Sequence, residues 1–163
     1  MVSGPESPYT RQEEIRRVVH KTLVFGELSA KAVGGEAFED PVVQTYFLHY
    51  VFGAVMALGE HGSLTEALSE EERVNAMGSA LMTFEDATRE DVMRTLKMIY
   101  QARDDAALDV QAEGRQAATR WNFGANGEAT QRFSELLAEP GRLPREVEPS
   151  PPLAGPNPPA DGG

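Results

Sequence analysis

The feature that most constrains this sequence is an uncharged and almost entirely apolar stretch, PVVQTYFLHYVFGAVMALG, at residues 41–59. Asp40 and Pro41 mark its start, because aspartate caps helix N-termini and proline is favoured at the first helical position. Apolar residues cover most of the helical circumference, which is typical of a helix surrounded by other helices or by lipid. We therefore predict a central helix on which the rest of the chain packs.

A membrane span is the alternative for this stretch, since about twenty apolar residues cross a bilayer. Gln44, Thr45 and His49 interrupt its apolar surface. Asp40 and Glu60 flank it with negative charge, where basic residues would set a membrane orientation. We therefore expect a buried helix and no membrane span.

Charge and cysteine content exclude several classes of function. The 163 residues carry a net charge of −11 and contain no cysteine, so disulfides, thiol catalysis and cysteine-ligated zinc are absent. Residues 41–88 contain one basic residue, Arg73, and binding to a phosphate backbone needs a basic face, so we expect no nucleic-acid binding. The first ten residues lack a basic segment followed by an apolar one, which indicates no secretory signal and favours a cytoplasmic location.

Helix-start patterns divide the rest of the chain. Capping boxes begin at Thr10, Ser69 and Thr88, each with an acidic residue three positions later. Gly34 follows the first helical pattern as its C-cap, and a last short helix is predicted at 128–139. The sequence predicts an all-α bundle of four main helices plus a short fifth, with the second helix central.

Proline and glycine content sets the domain organisation. We expect a flexible arm at residues 1–9, a single helical domain at 10–139 and a disordered tail at 140–163, because the proline- and glycine-rich tail has too few apolar residues to form a core.

The fourth helical pattern starts at Thr88 and meets no clear stop before Asn122, although Gly114 leaves its continuity open. A continuous helix there would be about 50 Å long, which is long for this domain. Its second half is thinly apolar, so we expect it to project and to form a subunit or partner interface. The predicted interface residues are Ala106, Val110, Ala117, Trp121 and Phe123. The alternative for the two aromatic residues, which we favour, is that they cap the bundle core instead of anchoring a partner.

Each main helix contains an interior glycine, which costs about 1 kcal/mol relative to alanine. Close approach between helices is the explanation we favour, and room for a ligand beside a helix is the alternative. The four glycines are Gly26, Gly53, Gly78 and Gly114.

No catalytic motif, metal-binding set or cofactor signature is found, and we expect neither metal nor cofactor. His49 is the best single functional candidate, either as a core histidine bonded within the fold or as part of an apolar ligand site. That site would comprise Thr45, Tyr46, His49, Tyr50 and Phe52. Most of the methionines fall on apolar stripes, and we expect Met77, Met82, Met93 and Met98 to fill the core.

These patterns favour a non-enzymatic interaction or assembly protein, such as an adaptor, a chaperone-like partner or a subunit of a larger complex. We expect it to associate with itself or with another protein through the second and fourth predicted helices. A helical module that binds a small apolar molecule beside His49 is the second hypothesis, and an enzyme is the third.

Overall fold

The structure, a computed structural model, describes residues 8–60, 66–85, 88–124 and 126–144. Within these residues the chain forms seven α-helices, one 3-10 turn and no strand, which confirms the all-α prediction. The helices are α1 (Pro8–Val33), α2 (Pro41–Leu58), α3 (Glu70–Glu85), α4 (Arg89–Gln101), α5 (Asp105–Asn122), α6 (Asn126–Ala129) and α7 (Arg132–Ala138), and the 3-10 turn is Gly35–Glu39.

Helix α2 is the centre of the bundle, as predicted. It packs most extensively against α5, and it also contacts α1, α3, α4 and the 3-10 turn. Val43, Val51 and Val55 are fully buried. Among the described residues α2 is the one helix long and apolar enough to cross a membrane, but 61% of that window is buried inside the bundle, as in the core helix of a soluble protein.

Three of the predicted helix starts are confirmed by their hydrogen bonds. The backbone N–H of Val42 donates to Asp40 Oδ1 at 2.9 Å. At α3, the N–H of Glu72 donates to the Ser69 hydroxyl at 3.1 Å while the Glu72 carboxylate accepts from the Ser69 N–H. Thr88 forms the equivalent capping box at α4.

The predicted start of the first helix is wrong, because α1 begins at Pro8 and includes Thr10. Proline is tolerated in the first turn of a helix, so the helix can begin at Pro8, before Thr10. Helix α1 ends at Val33, directly before Gly34, as the sequence predicted. Gly34 has a φ of 99°, the left-handed region in which glycine alone is unstrained.

The predicted fourth helix is two helices, and the break lies at residues 102–104 instead of Gly114. Asp104 caps α5 by accepting the backbone N–H of Ala107 at 3.2 Å. The aspartate therefore starts a new helix, which turns back onto α2. The expectation of a single projecting helix is wrong.

Gly53 and Gly114 mark the crossing of α2 and α5. A Cβ on Gly53 would overlap the Gln111 carbonyl, with the carbonyl carbon 2.8 Å away. A Cβ on Gly114 would overlap the Tyr50 carbonyl in the same way, again at 2.8 Å from the carbon. The close-approach explanation is confirmed for these two glycines. It fails for Gly78, where the nearest side-chain atoms would be 3.6 Å away, an ordinary contact.

The predicted fifth helix is also divided, into α6 and α7. Residues 140–144, the first five of the predicted tail, lie against the bundle: Leu143 is 6% exposed, and Arg142 pairs with Asp109 at 2.9 Å. Most of the predicted arm (1–7) and of the predicted tail (145–163) lies outside the described residues.

Candidate functional site

His49 lies at the α2–α5 interface, where it is 3% exposed. Its Nδ1 is 2.9 Å from Nε2 of Gln111. With the Gln111 amide in this orientation its N–H donates to Nδ1, an arrangement that fits the neutral ring carrying its proton on Nε2. Burial lowers the pKa of His49, and the negative charge of Asp104 opposes that shift. Its contacts are those of a core histidine bonded within the fold.

The other four residues of the predicted ligand site make separate contacts. Thr45 donates its hydroxyl to the Pro41 carbonyl at 3.0 Å, one turn back on its own helix. Tyr46 donates to the Pro144 carbonyl at 3.0 Å. Phe52 packs edge-on against Tyr100 of α4, with ring centroids 5.5 Å apart.

Tyr50 of α2 faces two other helices: it stacks on Phe25 of α1 and packs on Phe133 of α7. Its hydroxyl is fully buried and has no hydrogen-bond partner among the described residues. Burial raises the pKa of Tyr50 far above its ordinary value, and the carboxylate of Glu113 adds to that shift. The five side chains therefore have different neighbours and do not surround one cavity.

The predicted interface residues of the fourth helix lie mostly in the core. Val110 and Ala117 are at most 1% exposed, and Ala106 packs against the core cluster. Trp121 is half-buried against Phe25, with ring centroids 5.4 Å apart. Phe123 differs, being 68% exposed. Placing an interface at Val110 and Ala117 is wrong, because α5 turns these residues onto α2.

The methionine prediction is correct only for Met77, which is fully buried. Met82, Met93 and Met98 are 46%, 60% and 38% exposed. On α4 the buried stripe is Val92, Leu96 and Ile99. Met93 lies one residue after Val92 and so falls on the neighbouring stripe.

An open apolar groove of about 600 Å³ lies between α3 and α4. Gly78 of α3 lies beside it, because a Cβ on that residue would make ordinary contacts with Leu96, which lines the groove, and with Val92. Tyr100 closes one end by donating to the Glu70 carboxylate at 2.7 Å, and burial with that bond raises its pKa to about 12. We call this surface the α3–α4 groove; it is lined by Val74, Asn75, Glu90, Met93, Arg94, Leu96, Lys97 and Tyr100.

Charges border the groove on α4. Glu90 and Lys97, with opposite signs, are two turns apart and both line it, with the exposed Met93 between them. The sequence signal for this surface was available: Met93, Lys97 and Tyr100 have the spacing i, i+4, i+7, a second stripe beside the buried one.

No group of three or more histidine, aspartate or glutamate side chains placed to hold a metal ion occurs in the described part of the chain.

No protein-family model, no curated protein and no solved structure matches this chain.

Proposed function

We propose that this chain is a non-catalytic, cytoplasmic interaction protein that assembles with a second copy of itself through the α3–α4 groove. The observation that carries the proposal is the placement of Glu90, Met93 and Lys97 along the exposed stripe of α4. The proposed interface is therefore on α4, the first half of the predicted fourth helix, whereas the sequence alone had suggested the second half.

The apolar part of the interface is supplied by Met93 and Tyr100, two large side chains that the described chain leaves partly exposed. Met93 is 60% exposed and Tyr100 40% exposed, and both line the groove. Methionine adapts its shape to a partner, and a tyrosine anchor gives a large contact area at a low entropic cost. A partner that covers these side chains removes apolar surface from water, which favours association.

The charge pattern makes the surface complementary to itself. Residues 90 and 97 are equidistant from a point between Met93 and Arg94. In an antiparallel pair of α4 helices with a two-fold axis at that point, Glu90 of each copy faces Lys97 of the other. A two-fold interface requires this reciprocity, in which residue i contacts j and j contacts i.

The test is a set of charge reversals measured by light scattering across a concentration series. E90K and K97E each place like charges in both symmetric contacts, and we expect each to weaken dimerisation about tenfold or more, since tenfold is 1.4 kcal/mol. The double variant E90K/K97E restores opposite charges and is expected to dimerise as the natural chain does.

Mixing the two single variants gives the sharpest result. In a mixed pair, one E90K chain against one K97E chain, both contacts again join opposite charges, so the mixture is expected to associate although neither variant does alone. Met93→Glu should abolish association. Met98→Glu is the control, because Met98 lies about 140° around the helix from Met93. A natural chain that stays monomeric throughout, or a dimer that is insensitive to these reversals, contradicts the proposal.

A further inference from the structure

A second cavity, of about 370 Å³, lies between α1, the 3-10 turn and α2. It is formed on the side of α2 away from α5: its lining residue Val51 is two positions before Gly53, about 200° around the helix. The cavity is therefore separate from the α2–α5 crossing and from His49, which was the site expected from the sequence.

Its walls are apolar and aromatic. Phe38 of the 3-10 turn packs edge-on against Phe47 of α2 with ring centroids 5.1 Å apart, and Leu48 and Val51 extend the wall along α2. Phe133 of α7 supports both rings, at 5.4 Å from Phe47 and 6.4 Å from Phe38. Cavities of about 300–1,000 Å³ with such walls are typical of small-molecule sites.

The polar groups of the lining are Glu27 of α1 and Gln44 of α2, both exposed. Gln44 donates its side-chain N–H to the Phe38 carbonyl at 2.6 Å, which fixes the amide and leaves its oxygen as an acceptor. The ionised Glu27 carboxylate can only accept hydrogen bonds and cannot donate them. Both groups therefore complement a hydrogen-bond donor, and the charge of Glu27 favours a cationic one.

We propose that this cavity binds a small primary amine with an apolar body, its ring or alkyl group between Phe38 and Leu48 and its ammonium at Glu27 and Gln44. An apolar cavity of about 150 Å³ holds benzene, so about 370 Å³ holds one ring with a short aminoalkyl chain. The ammonium gains from the carboxylate, and the ring removes apolar wall from water.

Phenethylamine is the probe, with two matched compounds that each lack one part. 3-Phenylpropionate keeps the ring and reverses the charge, and propylamine keeps the charge without the ring. Titrations of the full chain followed by backbone amide NMR should show phenethylamine shifting the amides of Ala30, Phe38 and Leu48. We expect 3-phenylpropionate to bind at least about fivefold more weakly, the ratio that one partly exposed charge pair supplies. Propylamine should also bind more weakly than phenethylamine, because it has no ring to cover the apolar wall.

Two substitutions test the placement. Glu27→Gln removes the charge and is expected to weaken phenethylamine binding about fivefold while leaving the folded spectrum unchanged. Glu36→Gln removes another exposed acid, on the 3-10 turn but outside the cavity lining, and should have no effect. Leu48→Phe fills the cavity from a half-buried position and should abolish binding.

The proposal is overturned if phenethylamine shifts no amide of the cavity, or if 3-phenylpropionate binds as tightly as the amine. It is also overturned if Glu36→Gln weakens binding as much as Glu27→Gln does, because the amine would then respond to the general negative charge of the surface. None of these outcomes depends on self-association, which concerns residues of α3 and α4 that do not line this cavity.

Discussion

Gly53 of α2 and Gly114 of α5 form a reciprocal crossing, in which each glycine faces a backbone carbonyl on the opposite helix. No side chain separates the two helices at this point. Because α2 packs more extensively against α5 than against any other helix, the crossing sets the spacing of the whole core.

The first prediction is that Gly114→Ala is strongly destabilising and Gly78→Ala is not. The added methyl at Gly114 overlaps the Tyr50 backbone, which has no flexible end to move aside, so we expect a loss of about 3 kcal/mol or more. At Gly78 the methyl meets ordinary contacts, and the helix propensity of alanine should stabilise α3 by about 0.5–1 kcal/mol. Urea unfolding of both variants measures the difference; equal effects at the two sites would refute the close approach.

The second prediction concerns the decrease in folding stability that His49 causes as the pH falls. Its pKa is lowered in the folded chain, so the unfolded chain takes up a proton first as the pH falls. The contribution of the neutral, buried histidine to the free energy of unfolding is complete above the ordinary histidine pKa of about 6.5. Below that pH it decreases by up to about 1.4 kcal/mol for each pH unit. Chemical unfolding between about pH 7.5 and pH 5.5 should show this decline.

His49→Asn isolates that contribution, because the asparagine oxygen can accept from Gln111 and does not titrate. The variant should be less stable at neutral pH, since a smaller side chain leaves a cavity, but it should lose less stability on acidification. His20→Asn is the control at an exposed position of α1. If the natural chain and His49→Asn show the same pH dependence, the buried neutral histidine is ruled out.

The third prediction concerns the attachment of the C-terminal segment. Glu113 of α5 pairs with Arg132 of α7 at 2.9 Å, and Arg142 also donates to it. These bonds lower the pKa of Glu113, with the Arg132 bond the largest cause. The contribution of these bonds to the free energy of unfolding is present above the ordinary glutamate pKa of 4.5 and is lost as the pH falls below it.

Glu113→Gln should cost about 1–2 kcal/mol at neutral pH, since both arginines keep other carboxylate partners. It should also increase proteolytic cleavage near residues 139–144, where the segment is attached. Glu128→Gln, an exposed acid on α6, is the matched control. Unchanged protection of this segment in Glu113→Gln would show that burial of Leu143 suffices to hold it.

The fold class and the helix starts were predictable because they depend on local physical chemistry. A side chain that satisfies the free N–H groups at a helix start acts within three residues, so Asp40, Ser69 and Thr88 could be read directly. Asp104 carries the same signal at the start of α5, but with Asp105 directly after it the pair also fits the solvent-exposed face of one continuous helix. The break between α4 and α5 was thus present in the sequence but ambiguous.

The candidate sites were less predictable. The sequence places His49 on an apolar helix, but whether it meets a ligand or Gln111 depends on a helix 62 positions further along the chain. Met93 follows an apolar pattern that fits burial, yet α3 covers only the stripe beside it. Periodicity identifies the residues that share a face of a helix, but it does not show how much of that face a neighbouring helix covers.

The sequence alone determined that this chain is helical, that residues 41–58 form its centre, and where most of its helices begin, since these follow from propensity, capping and apolar pattern. Tertiary structure alone decided that α5 folds back onto α2, and with it which apolar residues are buried. Val110 and Ala117 became core while Met93 stayed exposed, because burial is a property of two packed surfaces and a sequence pattern describes only one of them.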